Sequence, residues 1–209
     1  MQCWAGGLYS MGHNDTWDNV AARLRGADTL TVGHYELGAG ATEDDLEVIK
    51  LMEVSPPPPT ILKFFLSSNG VKLLWSGTLG DQPVQGSINI VTLVESALRA
   101  PAQEEGAPLE GVLWDDEFGS QAIEKLKRMA IFEAIAGRSD YLTYIVDDAN
   151  ARIFLVQNDK IRLIVPDFET TIGLLMRYAG ADSLREHLTH EDWIERISAD
   201  GILQRISAL

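Results

Sequence analysis

Apolar positions recur along this chain at two spacings. Trp17, Val20, Ala21 and Leu24 fall three and four residues apart, behind Asp15 or Thr16 as a cap, and so predict a short amphipathic helix. Thr29 to Glu36 alternates weakly, as a strand does, and "LGAGA" after it reads as a turn. In "TEDDLEVIKLMEV", Thr42 with Asp45 is a capping box and three acids occupy the first turn, where the helix dipole favours them. Leu46, Ile49 and Met52, with Val48 and Leu51, are the expected buried side of that helix. It must end before Ser55, because a residue preceding proline is driven out of the helical region. Pro56 to Pro58 form an extended bridge, and Pro59 opens a new helix at a position where its missing N–H costs nothing. Ile61, Leu62, Phe65 and Leu66 are the expected buried face, with Phe64 beside them and Gly70 as the left-handed stop after Asn69.

Val71 to Ser76 and "SINIV" read as strands, with "TLGDQPVQG" as a loop between them. Thr92 and Glu95 cap the short helix "LVESAL", which Pro101 stops. Ala100 to Gly111 reads as a mobile polar loop, Val112 to Trp114 as a strand, "DDEFG" as an acidic turn and "SQAIEKLKRM" as helix. "MAIFEAIA" fits helix or strand. "YLTYIVD", "ARIFLVQ" and "KIRLIVP" are strands joined by the tight turns "DDAN" and "ND", an antiparallel meander. "DFETTIGLLMRYAG" is a helix capped by Asp167 and stopped at Gly180. The tail offers two more capping boxes, Ser183 with Glu186 and Thr189 with Asp192, and ends as amphipathic helix. Helices and strands mix without a βαβ rhythm. The expected fold is therefore α+β, one antiparallel-rich mixed sheet with helices on one face and at the ends.

Charge narrows the function classes. The 209 residues carry a formal net charge of −14, which repels nucleic acids and anionic membranes and suits a basic partner or plain solubility. The one cysteine, Cys3, excludes an internal disulfide and suits a reducing compartment. Residues 1–11 lack a basic start followed by an apolar stretch, and no apolar run reaches the ~20 residues of a membrane span. A cytoplasmic protein is the expectation.

"GATEDDLEVIKLMEVSPPPPTILKFFLSSNG" resembles the opening of the SUKH superfamily, which groups bacterial toxin-immunity proteins with fungal cell-wall-synthesis regulators. The resemblance is carried by Gly40-Ala41-Thr42, Pro59, Phe65-Leu66 and Asn69-Gly70. "LLWSG…GSINIVTL", "SDYLTYIVDDANARIFLV" and "DFETTIGLLMRYAG" are similar to later segments of that family, with Asp140-Tyr141-Leu142 and Asp147 matching. Ser139 stands where the family usually has glycine, and Ile172-Gly173 where an aromatic is common. The likeness implies an α+β domain over 38–180, an N-terminal extension over 1–37 and a C-terminal helical tail over 181–209. It implies a binding role and no catalytic residues.

Other chemistry is weaker in the residues. "LGAGATEDD" lacks the third glycine of a dinucleotide loop and puts acids where a pyrophosphate would sit. His187 and His190 have metal-ligand spacing but read as polar residues at a helix junction. Asp115, Asp116 and Glu117 could include a general acid and base, though such a cluster is more often a solvated turn. Cys3 has no histidine nearer than His13. No basic residues interleave with the tryptophans, which therefore read as core rather than as a base-stacking platform. The expectation is a non-enzymatic protein-binding domain without cofactor or metal, binding no nucleic acid and no membrane. Its most specific form is an immunity protein that neutralises a basic toxin such as a nuclease. The alternative is an intracellular regulatory or scaffold domain, and a hydrolase using the acidic cluster ranks last. The expected contact residues are Asp115, Asp116 and Glu117, with Asp147 and Asp148 at the meander turn.

Overall fold

The computed structural model describes residues 16–98, 129–135, 140–157 and 160–209. Among them, seven strands form one sheet in the order β1 to β7, each antiparallel to its neighbours, and eight helices complete an α+β domain. The strands are β1 Leu30–Leu37, β2 Val71–Leu79, β3 Gln82–Ile90, β4 Met129–Ala134, β5 Tyr141–Ile145, β6 Ile153–Gln157 and β7 Lys160–Leu163. The helices are α1 Trp17–Arg25, α2 Glu43–Leu51, α3 Pro59–Ser67, α4 Leu93–Leu98, α5 Phe168–Arg177, α6 Leu184–His187, α7 Trp193–Ala199 and α8 Gly201–Ser207.

Local signals account for most of these elements. Thr16 caps α1, and Trp17, Val20, Ala21 and Leu24 are its buried residues. The Thr42–Asp45 capping box forms on α2, Pro59 begins α3, and Thr92 and Glu95 exchange hydrogen bonds at the start of α4. Asp167 caps α5, and Gly180 follows it with φ +62. The segment "MAIFEAIA" resolves as strand β4. The loop, strand, acidic turn and helix expected over 100–128 and the turn at 158–159 lie outside the described residues.

Four expectations are corrected. The stretch "TLGDQPVQG" is not a loop: β2 runs to Leu79 and β3 starts at Gln82, leaving a two-residue turn with Gly80 at φ +64. Pro83 fits within β3 because it lies opposite Thr78, one step from the closing pair, where its nitrogen points away from β2. On α2 Ile49 is buried and Leu46 packs partly buried against the core, but Val48 and Leu51 are exposed; on α3 Ile61 and Phe65 are buried with Leu62 and Phe64 partly buried beside them, but Leu66 is 46% exposed. Helix α3 ends at Ser67, before Asn69, and Gly70 (φ +101) instead turns the chain into β2. The two capping boxes of the tail do not form. The Ser183 hydroxyl donates to Asp200, and that of Thr189 donates to the Glu186 carbonyl.

One face of the sheet carries the main core against the helices, through Leu73, Trp75, Ile88, Leu142, Tyr144 and Leu155 among others. On β4–β7 the opposite face is buried as well, around Met129, Ile145, Phe154 and Ile161. That double burial explains why the meander strands read as continuous apolar runs.

Among the described residues the sheet is nearly split between β3 and β4, whose backbones share the register pair Ile90↔Glu133 and the bond from Val91 N–H to the Phe132 carbonyl. Below that point, Gly180–Asp182 lies along the edge that β4 has left. Ser87 N–H donates to Gly180, Asp182 N–H donates to Gln85, and Gly86 pairs with Ala181. The Trp75 indole crosses Gly86 to donate to the Ala179 carbonyl at 2.7 Å, and any Cβ at Gly86 would fall 2.6 Å from that ring nitrogen.

The tail closes on itself through Asp200. One carboxylate oxygen caps α8 by accepting from the Ile202 and Leu203 amides, and the other meets Ser183 Oγ and His187 Nε2, each at 3.0 Å. Burial by itself would push this carboxyl up, but the Leu203 amide, His187, Ser183 and the Ile202 amide outweigh it and hold it below its ordinary 3.8. A folded-state value below the unfolded one stabilises the fold fully above that pH, and the stabilisation is lost as the pH falls below it. Acid unfolding of Asp200→Ala is therefore expected to be shallower than the parent's below pH 3.8. At neutral pH the substitution should cost about 0.5–2 kcal/mol, the loss of an N-cap, as read by urea midpoints.

Candidate protein-binding surface

Helix α2 is anchored at its start and open along its outer side. Thr42 and Asp45 satisfy the first amides, while Glu43, Asp44, Glu47 and Lys50 point to solvent around the turn. Two apolar side chains share that exposed side: Leu51 is 82% exposed and Val48 is 39% exposed. The Glu47–Lys50 ion pair at 2.5 Å lies in solvent and contributes little to stability. Glu53, just past the helix, is exposed and takes φ +55. The result is an acidic surface with an apolar centre, on a helix whose amphipathic pattern had placed Val48 and Leu51 inside.

The acids expected at a contact separate. Asp115, Asp116 and Glu117 lie outside the described residues. Asp147 is exposed at the β5–β6 turn. Asp148 beside it has a carboxylate only 7% exposed, held by Arg152 Nε at 2.7 Å and by the Asn150 and Arg152 amides. Burial opposes its ionisation, but those donors prevail and hold it below the usual carboxylate value. Asp148 thus builds the turn, with Ala151 at φ +51 following it.

Other candidate chemistry resolves into structure. No group of three metal-ligating side chains occurs among the described residues, and His187 serves Asp200. Gly38 and Gly40 are packing glycines: a Cβ would fall 2.1 Å from the Asn69 carbonyl oxygen and 2.0 Å from that of Leu66. Trp17 and Trp75 are core residues. Tyr144 and Ser96 share a buried hydroxyl pair at 2.8 Å, and burial pushes the phenol up to about 12. Two clefts remain. One of about 680 Å³ lies between the β2–β3 hairpin and the tail, near Gln85, Asp182 and Ile202. The other, of about 360 Å³, lies between α3 and α5 over Phe64, Phe168 and Ile172.

Glu133 and Arg185 are the polar residues that the sequence reading did not single out. They are 0% and 3% exposed and meet as a buried ion pair. Arg185 donates through Nε and Nη2 to the two carboxylate oxygens, and also to the Ser87 and Gly180 carbonyls at 2.7 and 3.2 Å. Glu133 also accepts from the Asn89 amide. Nothing local signals this pair, because its members lie 52 residues apart and each reads as an ordinary charged residue.

No protein-family model and no curated protein matches the chain. Among the described residues, no helix is long and apolar enough to cross a membrane.

Proposed function

We propose that this protein is a non-enzymatic binding domain that captures a basic protein partner, in its most specific form an immunity protein of the SUKH type neutralising a toxin such as a nuclease. The observation that carries the reading is the outer side of α2, where Leu51 and Val48 lie among Glu43, Asp44 and Glu47. Acids around an apolar centre suit the division of labour at protein interfaces: exposed charge steers the encounter, and a desolvated apolar anchor slows release. The net charge of −14 extends the steering field beyond the helix. The likeness over 38–180 supplies the immunity role, and the saturated hydrogen bonding of Glu133, Arg185 and Asp200 leaves those groups to the fold.

The test uses the whole chain as bait in extracts of cells that produce it, with mass spectrometry of what is retained and rate measurements on the purified partner. The expected partner is basic, and its association slows several-fold between low and physiological salt while dissociation changes less. Leu51→Arg should weaken binding by about 2 kcal/mol, as loss of a hot spot does. It should leave stability within about 0.5 kcal/mol. A partner indifferent to salt, to Leu51→Arg and to Glu43→Lys with Asp44→Lys would overturn the reading.

A further inference from the structure

Asn69 and Gly70 form the chain's single Asn-Gly pair, the peptide sequence most prone to spontaneous deamidation because glycine has no Cβ to hinder attack. In that reaction the glycine nitrogen attacks the asparagine side-chain carbon. A new N–C bond closes a succinimide, the bond to the side-chain amide breaks, and ammonia leaves carrying the proton of the glycine N–H. Water then opens the ring at either carbonyl, giving aspartate or an isoaspartate whose backbone runs through the former side chain. Water is the sole co-reactant.

Here that carboxamide is a structural clasp. Its oxygen accepts from the Leu93 amide at the start of α4 (2.6 Å), and its nitrogen donates to Asp45 at the start of α2 (3.4 Å). Asp45 is itself fixed by the amide and hydroxyl of Thr42. The backbone on either side is pinned to the segment before α2, by Asn69 N–H to the Ala39 carbonyl (3.0 Å) and Gly38 N–H to the Gly70 carbonyl (2.9 Å). One side chain thus joins the start of α2, the end of α3, the start of α4 and the entry to β2.

We propose that Asn69–Gly70 is a deamidation site gated by opening of this junction, and that its conversion releases the junction irreversibly. Gating follows from the hydrogen bonds: ring closure needs the carboxamide to turn toward Gly70 and its nitrogen to depart, so Asp45 and Leu93 must first let go. The rate then follows the population of locally opened molecules. Irreversibility follows from the product. Aspartate sets a carboxylate against that of Asp45 where a donor had been. Isoaspartate adds a backbone carbon between the two pins.

Peptide mapping by mass spectrometry, on the full chain aged at mildly alkaline pH, tests this. Conversion at Asn69 is expected to be slow in native buffer and faster in urea. Asp45→Ala should raise the native rate about tenfold, by shifting the open population as the loss of about 1.4 kcal/mol of hydrogen bonding does. The deamidated fraction, separated by ion exchange, should unfold at lower urea than the parent, and Asn69→Asp should reproduce the shift of its aspartate form. Should Asp45→Ala not fold, the parent's conversion rate measured at rising urea below its unfolding midpoint serves, and is expected to climb with urea. Equal rates in native buffer and urea, no conversion in urea, or a deamidated fraction with the parent's midpoint would each overturn the proposal.

Discussion

Replacing Arg185 with methionine is expected to destabilise the protein by about 3–5 kcal/mol, because removing one member of a buried ion pair strands the other charge in a low-dielectric interior. The stranded group is Glu133, 0% exposed, whose remaining partner is the Asn89 amide. The Ser87 and Gly180 carbonyls lose a donor at the same time. Removing both charges, as Glu133→Leu with Arg185→Leu, should cost less than Arg185→Met alone. The charge penalty then vanishes, and what remains is the about 1–3 kcal/mol per unsatisfied backbone group. Urea denaturation of the two single variants and the double variant measures the coupling. A double variant no more stable than Arg185→Met would show that the pair is not what closes the sheet. Hydrogen exchange adds a local readout: the Ser87 and Asn89 amides should lose protection first, since they face the split between β3 and β4.

Truncating Phe65 to alanine should cost a similar about 3–5 kcal/mol, as for other buried aromatic side chains. Its ring is fully buried and meets Phe64 and Phe132 edge to face, each at 5.9 Å. Phe132 in turn meets Phe64 and Phe168 at 5.4 and 5.3 Å, so the cavity would open in an aromatic cluster that joins α3, α5 and β4. The next residue gives an internal control. Leu66→Ala on the outer side of α3 should change stability by about 0.5 kcal/mol at most. Equal midpoints for Phe65→Ala and the parent would show that α3 is not part of the core.

The meander turn sets two neighbouring acids in different surroundings. Asp147 and Asp148 are neighbours of the same charge, yet only Asp147 faces solvent, because Arg152 and two amides hold the Asp148 carboxylate. Charge reversal at Asp148 would therefore report on the turn, and reversal at Asp147 on exposed charge.

The elements legible in the residues alone are those whose causes lie within a few positions. Thr16, Thr42, Thr92 and Asp167 cap helices because each hydroxyl or carboxylate needs only an amide two or three positions on. The four prolines determine where α2 must stop and α3 must start, because fixed φ angles and a missing N–H act on their immediate neighbours. The alternation and apolar runs of β5 to β7 determined the meander, and with it the α+β class. Which apolar side chains are covered is set by packing between distant elements. Val48 and Leu51 have the spacing of a buried face, yet α2 turns Ile49 and the partly buried Leu46 to the core and leaves those two outside, since burial depends on what stands opposite and not on period. Tertiary structure also decided the capping of the tail, where the carboxylate of Asp200 reaches Ser183 from a position 17 residues away and displaces the local box. The split sheet was likewise beyond local reading. Its closure depends on Glu133, Arg185 and the backbone of Ser87, which come together because β4 diverges from β3 and the tail folds back into the gap. Their attraction exists only once the chain has brought them within hydrogen-bond reach and excluded water around them.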